Sequence, residues 1–154
     1  MKSFLYVLPL LLFCILFSCE DVIEPEEQLE IDKQVITEYV AANGLNGTFT
    51  ESGLYYVIAD SGVGTEMPVP TSTVEIIYLG TLLDGTEFDS SDGFPAAFPI
   101  LNLIQGWQEG LLHFKRESEG ILLVPSRLAY GPQGRVNIPP NSVLRFDIEM
   151  LDFE

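Results

Sequence analysis

The sequence predicts an α+β domain: a curved antiparallel β-sheet wrapped around one short helix and preceded by a short N-terminal helix. Three observations predict this class. Within residues 143–151, apolar and charged side chains alternate, as in a strand with one face in the core and the other in water. One apolar stripe at helical spacing lies between two strand-like segments. The length of 154 residues suits one domain with a tail.

An apolar run without charges occupies residues 4–17, behind Lys2, as in a secretory signal peptide. At 14 residues it is shorter than the roughly 20 that a membrane-spanning helix needs. Residues 16–19 read Leu-Phe-Ser-Cys, which resembles a bacterial lipobox. The resemblance implies a signal peptide over residues 1–18 and a lipid-modified Cys19. An uncleaved anchor and an ordinary signal peptide are the alternatives.

The expected location is therefore the bacterial cell envelope, with the lipid in the outer membrane. The sequence does not say whether the domain faces the periplasm or the cell surface. Cys19 would tether the protein firmly, because several acyl chains bind a membrane far more tightly than one. The other cysteine, Cys14, lies in the predicted signal peptide, so the domain has no thiol for a disulfide framework or a Cys-ligated metal.

The charge of the chain excludes one large class of partner. Its 23 acidic residues against 7 basic ones give a net charge of −16 at pH 7. Such a surface repels phosphate backbones, so nucleic acid is not an expected partner. The simplest interpretation of the acidity is solubility.

The first elements after the signal are predicted in chain order. Residues 19–30 are mostly acidic and predict a solvated tether. Apolar residues then recur at helical spacing up to an Asn-Gly pair, which predicts a short amphipathic helix and its end. Residues 53–58 are rich in Tyr, Val and Ile and predict a strand, and residues 60–73 predict a loop. Residues 31–73 would thus extend a domain at residues 74–154.

Strands dominate that domain. The strand that starts at Val74 runs towards Asp84 and Gly85, a pair typical of a hairpin turn. Residues 121–124 form a second apolar strand and residues 143–151 the last. The short helix between them carries its apolar stripe on Ile104, Trp107, Leu111 and Leu112.

The sequence holds no pattern for hydrolytic, phosphate-binding or dinucleotide chemistry. His113 is the only histidine, and its apolar neighbours favour a packed side chain over a ligand. The unusual feature is a concentration of aromatic residues near an Ile-Pro-Pro segment, several of them in predicted loops. Each one alone is more typical of a core than of a site. The residues are Tyr78, Phe88, Phe94, Phe98, Trp107, Tyr130, Phe146, Ile138, Pro139 and Pro140.

Many of these residues fall in five motifs that follow one another along the chain. The motifs are Y-x-G-x-x-x-D-G-x-x-F-D-S-S at residues 78–91, V-I-x-G-W-x-E-G around residues 104–110, L-A-Y-G at residues 128–131, I-P-P-N at residues 138–141 and L-x-F-D-V-E around residues 144–149. In this order they resemble the motifs of the FKBP-type peptidyl-prolyl cis-trans isomerases. The resemblance covers residues 74–154 and implies the fold that periodicity predicts, with a proline pocket between helix and sheet.

The resemblance also implies a set of pocket residues. The expected catalytic residues are Tyr78, Asp89 and Tyr130, and the expected substrate-binding residues are Phe88, Leu103, Ile104, Trp107, Ile138 and Phe146. Trp107 would form the floor, with Ile104 and Phe146 as walls. Tyr130 and the backbone N–H of Ile104 would donate hydrogen bonds to the substrate, and Asp89 would accept one within the pocket. Phe98 stays outside the set, because it aligns with either of two family positions.

The implied activity is isomerisation of X-Pro bonds in exported proteins, with no metal and no cofactor. The implied partners are proline-containing polypeptides, the membrane through Cys19, and the macrolide inhibitors typical of the family. A non-catalytic peptide-binding or chaperone module on the same fold is the alternative, and a structural scaffold or adhesin is a third hypothesis. The loop at residues 132–137 shows little of the family's pattern, so no preference for residues around the proline follows.

Overall fold

The computed structural model describes residues 24–154. The predicted signal peptide, residues 1–18, and the predicted lipid site Cys19 lie outside the described residues. Within the described part of the chain, no helix combines the length and the apolar character needed to cross a membrane.

The N-terminal helix, α1, extends over Pro25–Asn43 and is longer than predicted. Residues 25–30, expected to belong to the acidic tether, form its first turns. The proline lies where its missing N–H costs no helical hydrogen bond, and Glu26 and Glu27 lie beside the positive end of the helix dipole. The acids that suggest a solvated tether therefore stabilise a helix N-terminus. The helix ends, as predicted, at Gly44, whose φ is 62°.

Within residues 24–154, seven antiparallel strands form one sheet. They are β1 (Thr48–Phe49), β2 (Tyr55–Asp60), β3 (Thr73–Leu82), β4 (Glu87–Ser90), β5 (Ala96–Pro99), β6 (Ser118–Val124) and β7 (Leu144–Phe153). Their order is β1-β2-β6-β7-β3-β4, and β5 also pairs with β3. Register shifts interrupt β3 opposite both β4 and β7, and such bulges increase the twist of a sheet. The predicted fold class is confirmed.

The strand predicted at residues 53–58 is β2, and it belongs to the same sheet as the rest. It pairs with β6 from Tyr55 opposite Leu123 to Val57 opposite Ile121. The predicted boundary at residue 74 therefore divides one sheet instead of separating an extension from a domain.

Two strands escaped prediction. The segment Ala96–Pro99 contains two alanines and follows a proline, so its intrinsic tendency to form a strand is low. Pairing with β3 makes it a strand, because Val74 lies opposite Phe98 and Ile76 opposite Ala96. The two residues of β1 likewise extend only because β2 lies beside them.

The short helix, α2, covers Gln105–Gly110 and continues into a 3-10 turn at Leu111–His113. It packs on the inner face of the sheet, where Trp107 is 96% buried. A Cβ atom at either Gly106 or Gly110 would overlap side chains of β6, so these two glycines let the helix approach the sheet closely.

The outer face of the sheet is partly covered by α1. Ile36 is fully buried there. Asp32, also buried, accepts hydrogen bonds from the backbone N–H and the hydroxyl of Ser126, both at 2.7 Å. The guanidinium of Arg145 on β7 donates to the Tyr39 hydroxyl at 2.8 Å. These contacts hold α1 against the domain.

Candidate active site

A cavity of about 230 Å³ opens between the inner face of the sheet and α2. Ten residues line it: Tyr78, Asp89, Phe98, Asn102, Leu103, Ile104, Trp107, Tyr130, Arg135 and Phe146. Seven of them belong to the nine pocket residues that the sequence predicted. The structure thus brings together residues from β3, β4, β7, α2 and the loop after β6.

Aromatic rings meet edge to face around Trp107. Its ring centroid lies 5.1 Å from that of Tyr78, 5.0 Å from that of Phe146 and 6.4 Å from that of Phe98, with interplanar angles of 89°, 83° and 85°. In this arrangement the positive edge of one ring meets the negative face of another, which stabilises the group beyond simple burial. The cavity therefore has a stiff apolar wall.

Two predicted pocket residues, Phe88 and Ile138, do not line the cavity. Phe88 packs edge-on against Phe146 with ring centroids 5.6 Å apart, so it supports the wall from behind. Ile138 is buried in the core and exchanges two backbone hydrogen bonds with Arg135. Phe88 thus supports the ring of Phe146, and Ile138 holds the loop that carries Arg135.

The cavity also holds several polar groups. Burial, followed by the negative charge of Asp89, raises the pKa of Tyr78 from 10.0 to about 12, so its hydroxyl keeps its proton across the neutral range. The Tyr130 hydroxyl accepts a hydrogen bond from Arg135 at 3.2 Å, which leaves its own proton free to be donated. Among the described residues, the backbone N–H of Ile104 has no acceptor.

The segment that carries this N–H is fastened by a side chain of α2. Gln108 donates from its side-chain amide to the carbonyl of Leu103 at 2.8 Å, and its backbone N–H donates to the carbonyl of Ile104 at 3.0 Å. The indole N–H of Trp107 is a further free donor, since no described residue accepts from it. An unpaired buried donor of this kind costs about 1–3 kcal/mol.

A larger cleft, of about 620 Å³, lies on the outer face of the sheet. Its lining is mostly aliphatic and acidic, and includes Ile77, Leu79, Glu119 and Glu149. It lacks the converging aromatic rings and free donors of the inner cavity. Size alone does not identify the site, and the smaller cavity is the chemically equipped one.

Residues 64–151 match the model of a protein family described as FKBP-type peptidyl-prolyl cis-trans isomerase. The chain belongs to this family. The match covers β3 to most of β7, which includes every residue that lines the inner cavity.

Several FKBP-type relatives are similar over most of this chain. The isomerase FkpA of Aeromonas hydrophila is 46% identical over 121 residues, which cover 76% of this chain and 45% of the relative. FkpA of Escherichia coli K12 is 45% identical over 105 residues, covering 67% and 38%, and a 22 kDa FKBP-type isomerase of the same strain is 41% identical over 120, covering 76% and 57%. The chain spans about half the length of these curated relatives.

Solved structures of the family have the same fold. The crystal structure of Escherichia coli FkpA aligns with a TM-score of 0.71 at 38% identity, covering 84% of this chain and 62% of that one. A peptidyl-prolyl cis-trans isomerase from Pseudomonas syringae aligns with a TM-score of 0.71 at 28% identity, covering 85% of this chain and 96% of that one.

Three cavity residues of this FKBP-type domain were absent from the predicted set: Phe98, Asn102 and Arg135. Phe98 lies on β5, a strand that the sequence did not predict, and it reaches the cavity because β5 pairs with β3. Arg135 lies in the loop whose sequence departs from the family's pattern. A lone positive charge in that loop was the one signal that could have marked it.

His113, the only histidine, lies outside the cavity. Its ring stacks on that of Tyr56 with centroids 4.1 Å apart and an interplanar angle of 6°. The packed interpretation of His113 is confirmed. Within residues 24–154, no three His, Cys, Asp or Glu side chains gather in a way that could hold a metal ion.

Proposed function

We propose that this domain is a peptidyl-prolyl cis-trans isomerase that accelerates rotation about X-Pro bonds in exported polypeptides. The observation that carries the proposal is the inner cavity, with Trp107 surrounded by Tyr78, Phe98 and Phe146 and with free donors beside it. Membership of the FKBP-type family supports it independently.

The difficulty of the reaction is a barrier to rotation of about 18–20 kcal/mol, which resonance in the planar amide creates. Uncatalysed X-Pro exchange consequently takes tens of seconds or longer. The planar amide is more polar than the twisted one. An apolar cavity therefore favours the twisted state relative to water, and this differential binding lowers the barrier without a nucleophile.

The polar groups would add to that differential binding. We assign Tyr130 and the backbone N–H of Ile104 as donors to substrate carbonyl groups, with Asp89 as the acceptor within the cavity. The Tyr78 hydroxyl, held protonated, lies next to Asp89 and helps to place its charge. Donors that fit only the twisted geometry stabilise the transition state more than the ground state.

The test is an isomerisation assay with the full-length chain in detergent and a short X-Pro peptide. We expect the slow exchange phase to become faster in proportion to enzyme concentration, and a macrolide inhibitor of the family to suppress the effect. Trp107 is the only tryptophan, so its fluorescence reports occupancy of the cavity. The matched control is the same peptide with alanine in place of proline, which should leave the fluorescence unchanged.

Each outcome separates the candidate functions. Fluorescence changes with the proline peptide but no acceleration would contradict isomerase activity and favour a peptide-binding or chaperone module. Neither binding nor acceleration, with no thermal shift from a macrolide, would favour a scaffold.

We further propose that Cys19 carries lipid and anchors the domain at the outer membrane of a bacterial envelope. The support is the Leu-Phe-Ser-Cys sequence at residues 16–19 behind a charge-free run. Replacing Cys19→Ser should release an exported soluble form and abolish labelling by a radioactive fatty acid. Continued membrane association of that variant would favour an uncleaved anchor. Protease treatment of intact cells would distinguish the surface from the periplasm.

A further inference from the structure

A single positive charge stands beside the cavity of a strongly acidic chain. The cavity lining carries two charged side chains, Asp89 and Arg135, and most of its other residues come from two segments, residues 93–108 and residues 128–144. The first contains no charged residue, and the second contains Arg135 alone. With 23 acidic residues in the chain, both segments are conspicuously free of carboxylates.

The loop that carries Arg135 is held in a defined conformation. The backbone N–H of Arg135 donates to the carbonyl of Ile138, and the N–H of Ile138 donates back, both at 2.9 Å. Asn141 donates to the carbonyl of Gly131 at 2.9 Å and closes the loop at its base. The buried Ile138 side chain anchors this loop in the core. The backbone of Arg135 therefore has a fixed place relative to the cavity.

The guanidinium lies over the Tyr130 ring, with its central carbon 5.4 Å from the ring centroid. One of its N–H groups donates to the Tyr130 hydroxyl at 3.2 Å. A guanidinium has five N–H donors, so most of them stay available. Among the described residues, no carboxylate lies within 4.0 Å of it, in contrast to Arg116 and Arg145, which both have acidic partners.

We infer that Arg135 makes this site select proline segments with an acidic side chain next to the X-Pro bond. The inference rests on the proposed function and names its substrate class. A carboxylate beside the bound proline would meet a preplaced guanidinium that already lies at the cavity wall. Because Arg135 is exposed, the preference should be modest, about two- to fivefold, as for exposed ion pairs.

The charge of the whole chain acts in the opposite direction over longer distances. A net charge of −16 repels an acidic peptide during its approach, but at physiological ionic strength charges more than about 8 Å apart are largely screened. Two charges of the cavity lining then remain, Asp89 and Arg135, and the exposed Arg135 should decide the preference where the acidic side chain lies nearer to the guanidinium than to Asp89. Raising the salt further should weaken that preference, because the pair itself is exposed.

The experiment compares two peptides that differ only in Glu or Gln before the proline. For the full-length protein in detergent, the ratio of kcat/KM for the Glu peptide to that for the Gln peptide is measured at 0.15 M and 1 M salt. The variants are Arg135→Gln, Arg135→Lys and Arg135→Glu. Because each ratio is taken within one variant, a uniform loss of activity cancels.

We expect a wild-type ratio of about two to five, in the range for exposed ion pairs. The ratio should fall to about one in Arg135→Gln, stay above one in Arg135→Lys and drop below one in Arg135→Glu. A wild-type ratio of one would overturn the inference. An unchanged ratio in Arg135→Gln, with both peptides slowed equally, would also overturn it and would assign Arg135 to holding Tyr130.

Trp107 fluorescence separates failure of this inference from failure of the proposed activity. Equal acceleration of both peptides overturns the role of Arg135 and leaves isomerase activity standing. Tighter binding of the Glu peptide without any acceleration overturns the activity and supports Arg135. No binding and no acceleration contradict both.

Discussion

The two faces of the sheet come from the same strands but are covered differently. On the inner face, α2 packs closely through two glycines and leaves a small cavity whose walls are aromatic rings. On the outer face, α1 covers one part through Ile36, and the rest is an open acidic cleft. Alternation along β7 places Phe146 on one face and Asp147 on the other.

This difference shows that side chains on the inner face contribute both to the stability of the fold and to the candidate site, whereas those on the outer face contribute to stability alone. Trp107 belongs to the main core cluster and also lines the cavity, so fold and site depend on it together. Ile36 belongs to a separate cluster that contains no residue of the cavity lining. Substitutions on the inner face should change stability and activity together, and those on the outer face should change stability alone.

The largest effect is expected from Trp107→Ala. Removing a buried indole leaves a void, and large-to-small changes of this kind cost about 3–5 kcal/mol of unfolding free energy. Activity should fall more than tenfold under conditions where the variant is still folded. Urea denaturation and the isomerisation assay measure the two losses. Full activity in a destabilised variant would show that Trp107 has no role in the site, and would contradict the difference proposed between the two faces of the sheet.

Ile36→Ala tests the outer face. The side chain is fully buried, so we expect a loss of about 2–4 kcal/mol in unfolding free energy, again from the void left behind. The kcat/KM of the folded variant should equal that of the wild type, because α1 does not contribute to the cavity. The same denaturation and activity measurements apply. A loss of activity as large as that of Trp107→Ala would show that the two faces are coupled.

Tyr130→Phe separates hydrogen bonding from packing on the inner face. The variant keeps the ring and loses the donor, so activity should fall about tenfold, the effect of one hydrogen bond of about 1.4 kcal/mol in the transition state. Stability should change little. The matched control is Tyr56→Phe, whose ring stacks on His113 away from the cavity. Equal activity losses in the two variants would contradict a role for the Tyr130 hydroxyl.

The smallest effect at neutral pH is that of the Tyr78 ionisation, which changes the stability only in alkaline solution. The pKa of Tyr78 is raised from 10.0 in the unfolded chain to about 12 in the fold, so folding favours the protonated form. The resulting stability is complete below pH 10 and is lost as the pH rises from 10 towards 12. Denaturation curves should therefore show a steeper fall over this range for the wild type than for Tyr78→Phe. Identical slopes would mean that Tyr78 titrates like an exposed phenol.

The elements that local patterns specify were the ones that could be predicted. Strand β7 has a strict alternation, and residues 104–112 around α2 carry apolar side chains at helical spacing, so both could be recognised from neighbouring residues alone. The structure shortens that helix to Gln105–Gly110 and places Leu111 and Leu112 in a 3-10 turn. The start of α1 was missed because acids near Pro25 suit both a solvated tether and a helix N-terminus. Only burial of Leu29 and Asp32 against the domain distinguishes the two.

The residues of the candidate site also fall into those that a local motif could predict and those that only the tertiary structure brings to the cavity. Tyr78, Asp89 and Trp107 lie in motifs with fixed spacing, so a resemblance could place them. Phe98 has no such spacing and reaches the cavity only because Val74 lies opposite it in the sheet. Phe88 and Ile138 were expected at the cavity, but Phe88 packs against the wall residue Phe146 and Ile138 is buried in the core. Sequence cannot tell which of two adjacent apolar side chains is nearer the cavity.

The sequence by itself determined the periodicity of the strands and the helix, the acidic balance and the order of the motifs, because each of these is a property of residues close together in the chain. The tertiary structure alone decided which distant residues share the cavity, which rings stand in front of others, and where Arg135 lies relative to Tyr130. Those relations depend on strand pairing and loop closure between residues far apart in the chain, and neither produces a pattern among neighbouring residues of the sequence.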